Sequence, residues 1–308
     1  MIARALRTAE GTSTAAFGAT EWGLLLVAAS VWGASFVLIA EGLETFEPGL
    51  ISWLRLAFGA GTLALFPTAR SPVDRADWPV VVLLAVAWMA VPFLLFPIAQ
   101  QWISSSLAGM INGATPLFAA WFAAALLRRL PGRVQAAGLL IGFAGVVLLA
   151  LPADEAEASV AGVALALVAT GCYGLAFNVA VPLQQRYGAL PILLRALVAA
   201  LALTTPLGVV SLPASSWSVS SLAAVGALGV GGTALAYVAM TTLVGRSGAT
   251  RGAIAVYFIP VVAVMLGVGI RHETVAVLGL AGMGLVLVGA YLTSRRDAPR
   301  RSPLPSGD

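Results

Sequence analysis

The sequence predicts an all-α integral membrane protein: ten transmembrane helices built as two inverted five-helix repeats. Three observations carry the prediction. Apolar residues make up 60% of the 308-residue chain and charged residues only 10%, with a mean hydropathy of +0.97; ordinary soluble domains are about 45–50% apolar. The apolar residues gather into ten runs, each of the roughly 17–25 residues that a helix needs to cross the hydrocarbon core. The second half also repeats landmarks of the first. Trp32-Gly33-Ala34-Ser35-Phe36 returns as Tyr173-Gly174-Leu175-Ala176-Phe177, and Arg55 returns as Arg195. Phe93, Pro116, Gly138 and Gly145 are followed 144 residues later by Tyr237, Pro260, Gly282 and Gly289.

The first run, Trp22–Ala40, follows Arg4 and Arg7 as a cleaved leader would. It is long enough to span, and it carries the aromatic-glycine motif that recurs in the sixth run, so it is read as a retained helix. Pro48–Phe66 holds Arg55, Trp78–Ile98 holds Pro92, Phe93 and Pro97, and Ser104–Leu127 holds Asn112 and Pro116. Val134–Leu151, with Gly138-x-x-x-Gly142, has the small-residue spacing of a close-packing face. Val160–Val181 contains the motif's second copy, Asn178 and the single cysteine, Cys172, which is read as a packing residue. Pro191–Leu212 carries Arg195, Ser221–Leu243 carries Tyr237, Ala249–Ile270 carries Tyr257 and Pro260, and Thr274–Leu292 closes the series with Gly282 and Gly289. Helix is the assignment throughout, because lipid offers an extended backbone no hydrogen-bond partners.

The connections are short, which leaves no room for a soluble domain between spans. The expected organisation is an N-terminal segment (1–21), a first repeat (22–151), an acidic connection (152–159), a second repeat (160–292) and a polar tail (293–308). With the N-terminus inside, arginines in loops and termini divide 14 to the inner side and 1, Arg271, to the outer. That bias places both termini in the cytoplasm. Five helices per repeat is an odd number, so the second copy enters the membrane from the opposite side and the duplication is inverted.

These landmarks together resemble the drug/metabolite transporter superfamily, in particular its EamA-type family. The residues that carry the resemblance are Trp32-Gly33-x-x-Phe36, Arg55, Pro116 and Gly138/Gly145 in the first copy. In the second they are Tyr173-Gly174-x-x-Phe177, Arg195, Gly248-Ala249-Thr250, Pro260, Glu273 and Gly282/Gly289. The resemblance spans about Trp22 to Leu292 and implies a ten-helix bundle with a central cavity, exporting amino acids or other small metabolites. The glutamate before a repeat's last helix is Glu273 in the second copy, whereas Arg129 stands there in the first.

Arg55 is the most informative single residue, seven positions past Pro48 and hence about 10 Å into the bilayer at 1.5 Å per residue. An arginine at the centre of a span costs about 2.5–3.5 kcal/mol on insertion scales. Two answers to that cost stand open: a cavity in which the guanidinium meets a substrate carboxylate or phosphate, or snorkelling toward Glu41, Glu44 or Glu47. Trp32, Phe36, Phe93, Tyr173, Phe177 and Tyr237 occupy repeat-equivalent places, while Asn112, Asn178 and Tyr257 can exchange hydrogen bonds. With Arg55 they form the candidate substrate-binding set; the alternative is that the polar ones join helices. The lone histidine, His272, is placed in an exposed outer loop.

The basic balance invites a nucleic-acid reading, but the arginines lie in short loops and form no phosphate-binding stripe. An intramembrane enzyme would need a nucleophile with a base, a carboxylate pair or a metal site, and no predicted span holds an acidic residue or a histidine. No enzyme activity, cofactor or metal is expected. The expected function is secondary transport of a small metabolite, an amino acid or related compound, across a bacterial inner membrane by alternating access, in the export direction. A carrier of lipid-like or drug-like solutes, or a non-transporting membrane partner protein, is the alternative. Protons as coupling ion and the oligomeric state stay open.

Overall fold

The computed structural model describes residues 18–127, 132–150, 159–247 and 254–294, and every regular element within them is helical. In chain order these are α1 (Ala19–Leu43), α2 (Pro48–Ala64), α3 (Trp78–Leu84), α4 (Val91–Ala99), α5 (Ser105–Asn112), α6 (Thr115–Leu127) and α7 (Arg133–Ala150). They continue with α8 (Val160–Tyr187), α9 (Ala189–Ser211), α10 (Val219–Ala227), α11 (Ala236–Ser247), α12 (Ile254–Arg271) and α13 (Val277–Ser294). A π turn, Ala85–Ala90, joins α3 to α4, and a second, Leu228–Leu235, joins α10 to α11.

Among the described residues, six continuous helical stretches are long and apolar enough to cross a membrane: Ala19–Leu43, Arg75–Ala99, Ser105–Leu126, Val160–Tyr187, Ala189–Ser211 and Val219–Val244. Arg133–Leu149, Ala255–Arg271 and Val277–Leu292 are shorter apolar helices, and α2 has 17 residues. The outward surface is apolar too, with Leu65, Leu140, Val160, Val210 and Val277 exposed. Such a coat fits a bilayer rather than water.

Three departures from an uninterrupted helix have local causes. The two π turns fall at equivalent places in the two halves. The first is followed at once by Pro92, which has no N–H to offer the Trp88 carbonyl four residues back. The second contains Gly229, Gly231 and Gly232. The fourth predicted run is broken between Asn112 and Thr115. Pro116 frees the Asn112 carbonyl, which instead accepts a hydrogen bond from Thr115 Oγ1 at 2.7 Å. The sixth run also continues past Val181 to Tyr187, through Pro182.

The helices pack so that each half meets the other. One core cluster joins Phe36, Ile39, Leu50, Phe96 and Ile111 to Ile259 and Ala263. A second joins Leu56, Leu63, Trp88 and Phe93 to Ala176, Ile192 and Leu197. α7 and α13 run antiparallel along a glycine seam. A Cβ on Gly145 would sit 2.6 Å from the Gly282 carbonyl, and one on Gly289 would collide with the Gly142 backbone.

The two ends of the bundle are tied differently. Where α1 ends, Arg271 pairs with Glu44 at 2.7 Å and with Glu41 at 3.5 Å. Beside it, Glu273 Oε1 accepts from Ser105 N at 2.9 Å and Ser105 Oγ at 2.7 Å, while its Oε2 accepts from Ser106 N at 2.8 Å and from Ser106 Oγ. A carboxylate with four donors at a helix start is well held. Burial pushes the Glu273 carboxyl up, but these hydrogen bonds outweigh it and hold the group below the usual carboxylate range. Where α1 begins, Arg246 pairs with Glu21 at 2.7 Å, and Arg186 pairs with Asp74 at 3.2 Å and Asp77 at 3.0 Å. Arg129 and Gly248-Ala249-Thr250 lie outside the described residues.

Candidate functional site

The repeated aromatic-glycine motif has a steric purpose that places the site. In α1, a Cβ on Gly33 would lie 2.9 Å from the Ile259 carbonyl of α12. In α8, a Cβ on Gly174 would lie 2.7 Å from Ala119 N of α6. Each glycine therefore lets a helix of one half touch backbone of the other half, and the flanking aromatics turn into the space beside the crossing. Trp32, Ser35, Phe36 and Ile39 recur at helical spacing on one face of α1. Tyr173 and Phe177 do the same on α8.

The result is a central cavity walled by both halves. The first half adds Arg55 from α2, Trp88 from the first π turn, Phe93 and Phe96 from α4, and Asn112 and Thr115 from the break between α5 and α6. The second half adds Tyr237 from α11 and Val256 and Ile259 from α12. Aromatic rings interlock around it. Trp32 and Trp88 meet Tyr237 edge-on at 5.2 and 5.3 Å, Phe36 meets Phe96 at 5.3 Å, and Phe96 stacks on Tyr173 at 6.0 Å. Apolar walls with a few polar groups are the usual make-up of a small-molecule pocket.

Arg55 is the charged residue of this wall. It is only 6% exposed, its Cζ lies 3.6 Å from the centroid of the Phe93 ring, and its Nε donates to Thr233 Oγ1 at 3.0 Å. Of the acids named as snorkelling partners, Glu41 and Glu44 hold Arg271 instead, and Glu47 forms no ion pair with Arg55. Among the described residues no carboxylate pairs with Arg55. A desolvated guanidinium can take a carboxylate or phosphate by bidentate hydrogen bonding. Arg195, its repeat partner, donates Nη1 to the Pro191 carbonyl at 3.0 Å and faces away from the cavity wall.

Of the ten residues named from sequence, Trp32, Phe36, Arg55, Phe93, Asn112, Tyr173, Phe177 and Tyr237 line the cavity. Asn178 and Tyr257 do not. Asn178 Nδ2 donates to the Ala119 and Gly174 carbonyls, both at 2.9 Å, and the Tyr257 hydroxyl donates to the Ala290 carbonyl at 3.0 Å. Each follows a lining residue, Phe177 or Val256, and one residue on a helix turns a side chain by about 100° away from it. Both polar groups therefore join helices. Ser35, Ile39, Trp88, Phe96, Thr115, Val256 and Ile259 line the cavity as well and were not named as candidates from sequence. Thr115 and Ile259, like Asn112 and Val256, are separated by the same 144 residues as the other landmarks, so carrying the offset from Asn112 would have found Val256. Trp88 has glycine, Gly232, at the equivalent place and gave no repeat signal. Among the described residues its buried indole N–H has no hydrogen-bond acceptor. Among the described residues no cluster of three or more His, Cys, Asp or Glu could hold a metal ion. His272 is exposed, as expected, with a left-handed φ of 55°.

Comparison with known proteins bears on this arrangement. The sequence model of the EamA-like transporter family matches residues 21–151 and again 160–295. An "uncharacterized transporter" of Archaeoglobus fulgidus is 24% identical over 90% of this chain and 99% of its own length. A "probable terminal-alkyne amino-acid exporter" of Streptantibioticus cattleyicolor is 26% identical over 91% of this chain and 95% of its own. The "uncharacterized inner membrane transporter YedA" of Escherichia coli is 25% identical, covering 89% and 90% respectively. A crystal structure of a protein 19% identical in sequence superposes with a TM-score of 0.61 over 90% of this chain and 96% of that one, a likeness of fold.

Proposed function

The chain belongs to the EamA-like transporter family, and from that premise we propose that it is a secondary transporter exporting a small metabolite with an anionic group, an amino acid or a related compound. The observation that carries this reading is the buried Arg55, without a carboxylate partner among the described residues, in the wall of a cavity shared by the two halves. In this reading Arg55 takes the anionic group, while the rings of Trp32, Phe93, Tyr173 and Tyr237 receive the body of the solute. Its two five-helix units, 22–151 and 160–292, are inverted with respect to each other and rock about the cavity, exposing it to one side of the membrane at a time. The amino-acid exporter among the relatives supports the substrate class and the direction. The arginine bias supports cytoplasmic termini.

The test is efflux from liposomes that hold the purified protein and are preloaded with labelled amino acids and carboxylic acids. Saturable efflux of one solute, with competition by its analogues, is expected. Arg55→Ala should lower it at least about 10-fold, as expected for loss of a charge-assisted contact, while the variant stays folded and inserted. Flux unchanged in Arg55→Ala would remove Arg55 from the binding role. A silent panel with folded, inserted protein would turn the assignment toward lipid-like solutes or a non-transporting partner.

A further inference from the structure

Arg55 does not hang free in the cavity. Its Nε donates to Thr233 Oγ1 at 3.0 Å, and that hydroxyl in turn donates to the Leu228 carbonyl at 3.2 Å, five residues back along the second π turn. A hydroxyl whose proton is committed to Leu228 must present a lone pair to Arg55, so the order of the chain is fixed. The contact depends on a close crossing of α2 with the π turn. A Cβ on Gly229 would stand 2.8 Å from the Arg55 carbonyl, and one on Gly59 would stand 2.7 Å from the Thr233 methyl. A second tie lies beside it: Trp32 Nε1 donates to the Gly232 carbonyl at 3.0 Å.

The consequences for the guanidinium are geometric. Phe93 covers one face, and Thr233 occupies the Nε position, which a carboxylate would need for side-on pairing. Among the described residues the terminal nitrogens make no hydrogen bond or ion pair. We propose that Thr233 is the positioning residue of the transport site: it pins Arg55 so that the anionic group of the solute is taken end-on, by Nη1 and Nη2. The inference rests on the reading of Arg55 as the anion-holding residue and adds the geometry of capture.

The duplication makes the point by contrast. The residue 144 positions before Thr233 is Met89, which has no hydroxyl. The repeat partner Arg195 spends its Nη1 on the Pro191 and Ala69 carbonyls. One arginine of the pair is thus aimed into the cavity and the other is not, and the difference follows the presence of the hydroxyl.

The experiment titrates the full chain in lipid nanodiscs with benzoate, and with benzamide as its neutral counterpart of near-equal shape, reading tryptophan fluorescence. Wild type should bind benzoate the more tightly. Thr233→Val, which keeps the side-chain shape and removes the acceptor, should weaken benzoate about 10-fold and leave benzamide unchanged. Thr233→Ser should restore benzoate binding, and Thr233→Val should have no further effect in an Arg55→Gln background. Equal weakening of both ligands, or a loss that persists without Arg55, would reduce Thr233 to packing and overturn the proposal. If Arg55→Gln removes the preference for benzoate but Thr233→Val does not shift it, the positioning role alone fails. No benzoate preference in wild type, or one that survives Arg55→Gln, would sink the anion reading and this inference together.

Discussion

Arg55 meets the cost of its depth with the Phe93 ring against its face and the Thr233 hydroxyl at its Nε, and both neighbours are side chains that a charge of the wrong shape would not satisfy. Lysine has no planar face to lay on the ring and no fork for a carboxylate. Arg55→Lys should therefore keep the bundle folded yet recover little of the flux lost in Arg55→Ala, as initial efflux rates would show. Glu273 is the other residue whose charge matters. Its folded-state pKa is depressed, so its contribution to stability is present above the unfolded value, about 4.3, and is lost as pH falls through the lower folded value. Glu273→Gln should cost about 1–2 kcal/mol near neutrality and flatten the acid limb of the stability curve, measured by thermal unfolding in detergent from pH 7 downward. His272 holds a left-handed φ of 55° just past α12, where the Glu273 N–H reaches back to the Gly267 carbonyl at 3.1 Å. Glycine is at ease in that conformation, so His272→Gly should raise the melting temperature slightly, by about 0.5–1 kcal/mol of stability. Sequence alone pointed to Arg55 because a charge inside an apolar run stands out. It gave no hint of Thr233, whose meaning depends on a contact across 178 positions.

At the scale of elements, the apolar runs were legible and their interruptions were not. Hydropathy sees the length of a run, whereas the π turns and the break after Asn112 come from single prolines and glycines and from what the neighbouring helices allow. The glycines of α7 and α13 were legible as a packing face because small residues recur there at one-turn spacing. Their seam supplies a test with an internal control. A Cβ on Gly145 would fall 2.6 Å from the Gly282 carbonyl and 2.7 Å from Val286 N, whereas one on Gly284 would meet nothing within 4 Å. Gly145→Ala should destabilise the protein by about 1–3 kcal/mol. Gly284→Ala should be neutral or stabilise it by about 0.5–1 kcal/mol through helix propensity. Thermal unfolding of the two variants side by side distinguishes backbone contact from a general dislike of larger side chains.

For the whole molecule, the repeat was legible wherever both copies kept the same residue type, as at Phe36 and Phe177. It was silent where position was kept and chemistry changed, as at Asn112 and Val256, which both line the cavity. That divergence makes the cavity lining differ between the two halves. The same asymmetry governs the two ends. Where α1 begins, Arg186, Arg246 and Asp74 form pairs whose arginines are more than half exposed. Where α1 ends, Arg271 also pairs with Glu41 and Glu44, but the part-buried carboxylate of Glu273 is in addition seated on the uncharged groups of Ser105 and Ser106. Dissolved ions screen the first kind of contact within about 8–10 Å and barely reach the second. Ionic strength should therefore act more strongly on the end where α1 begins. Raising potassium chloride should increase the labelling of single cysteines placed near Asp74 more than that of cysteines placed near Ser104. A difference in salt between the two baths would then load the two ends of the bundle unequally.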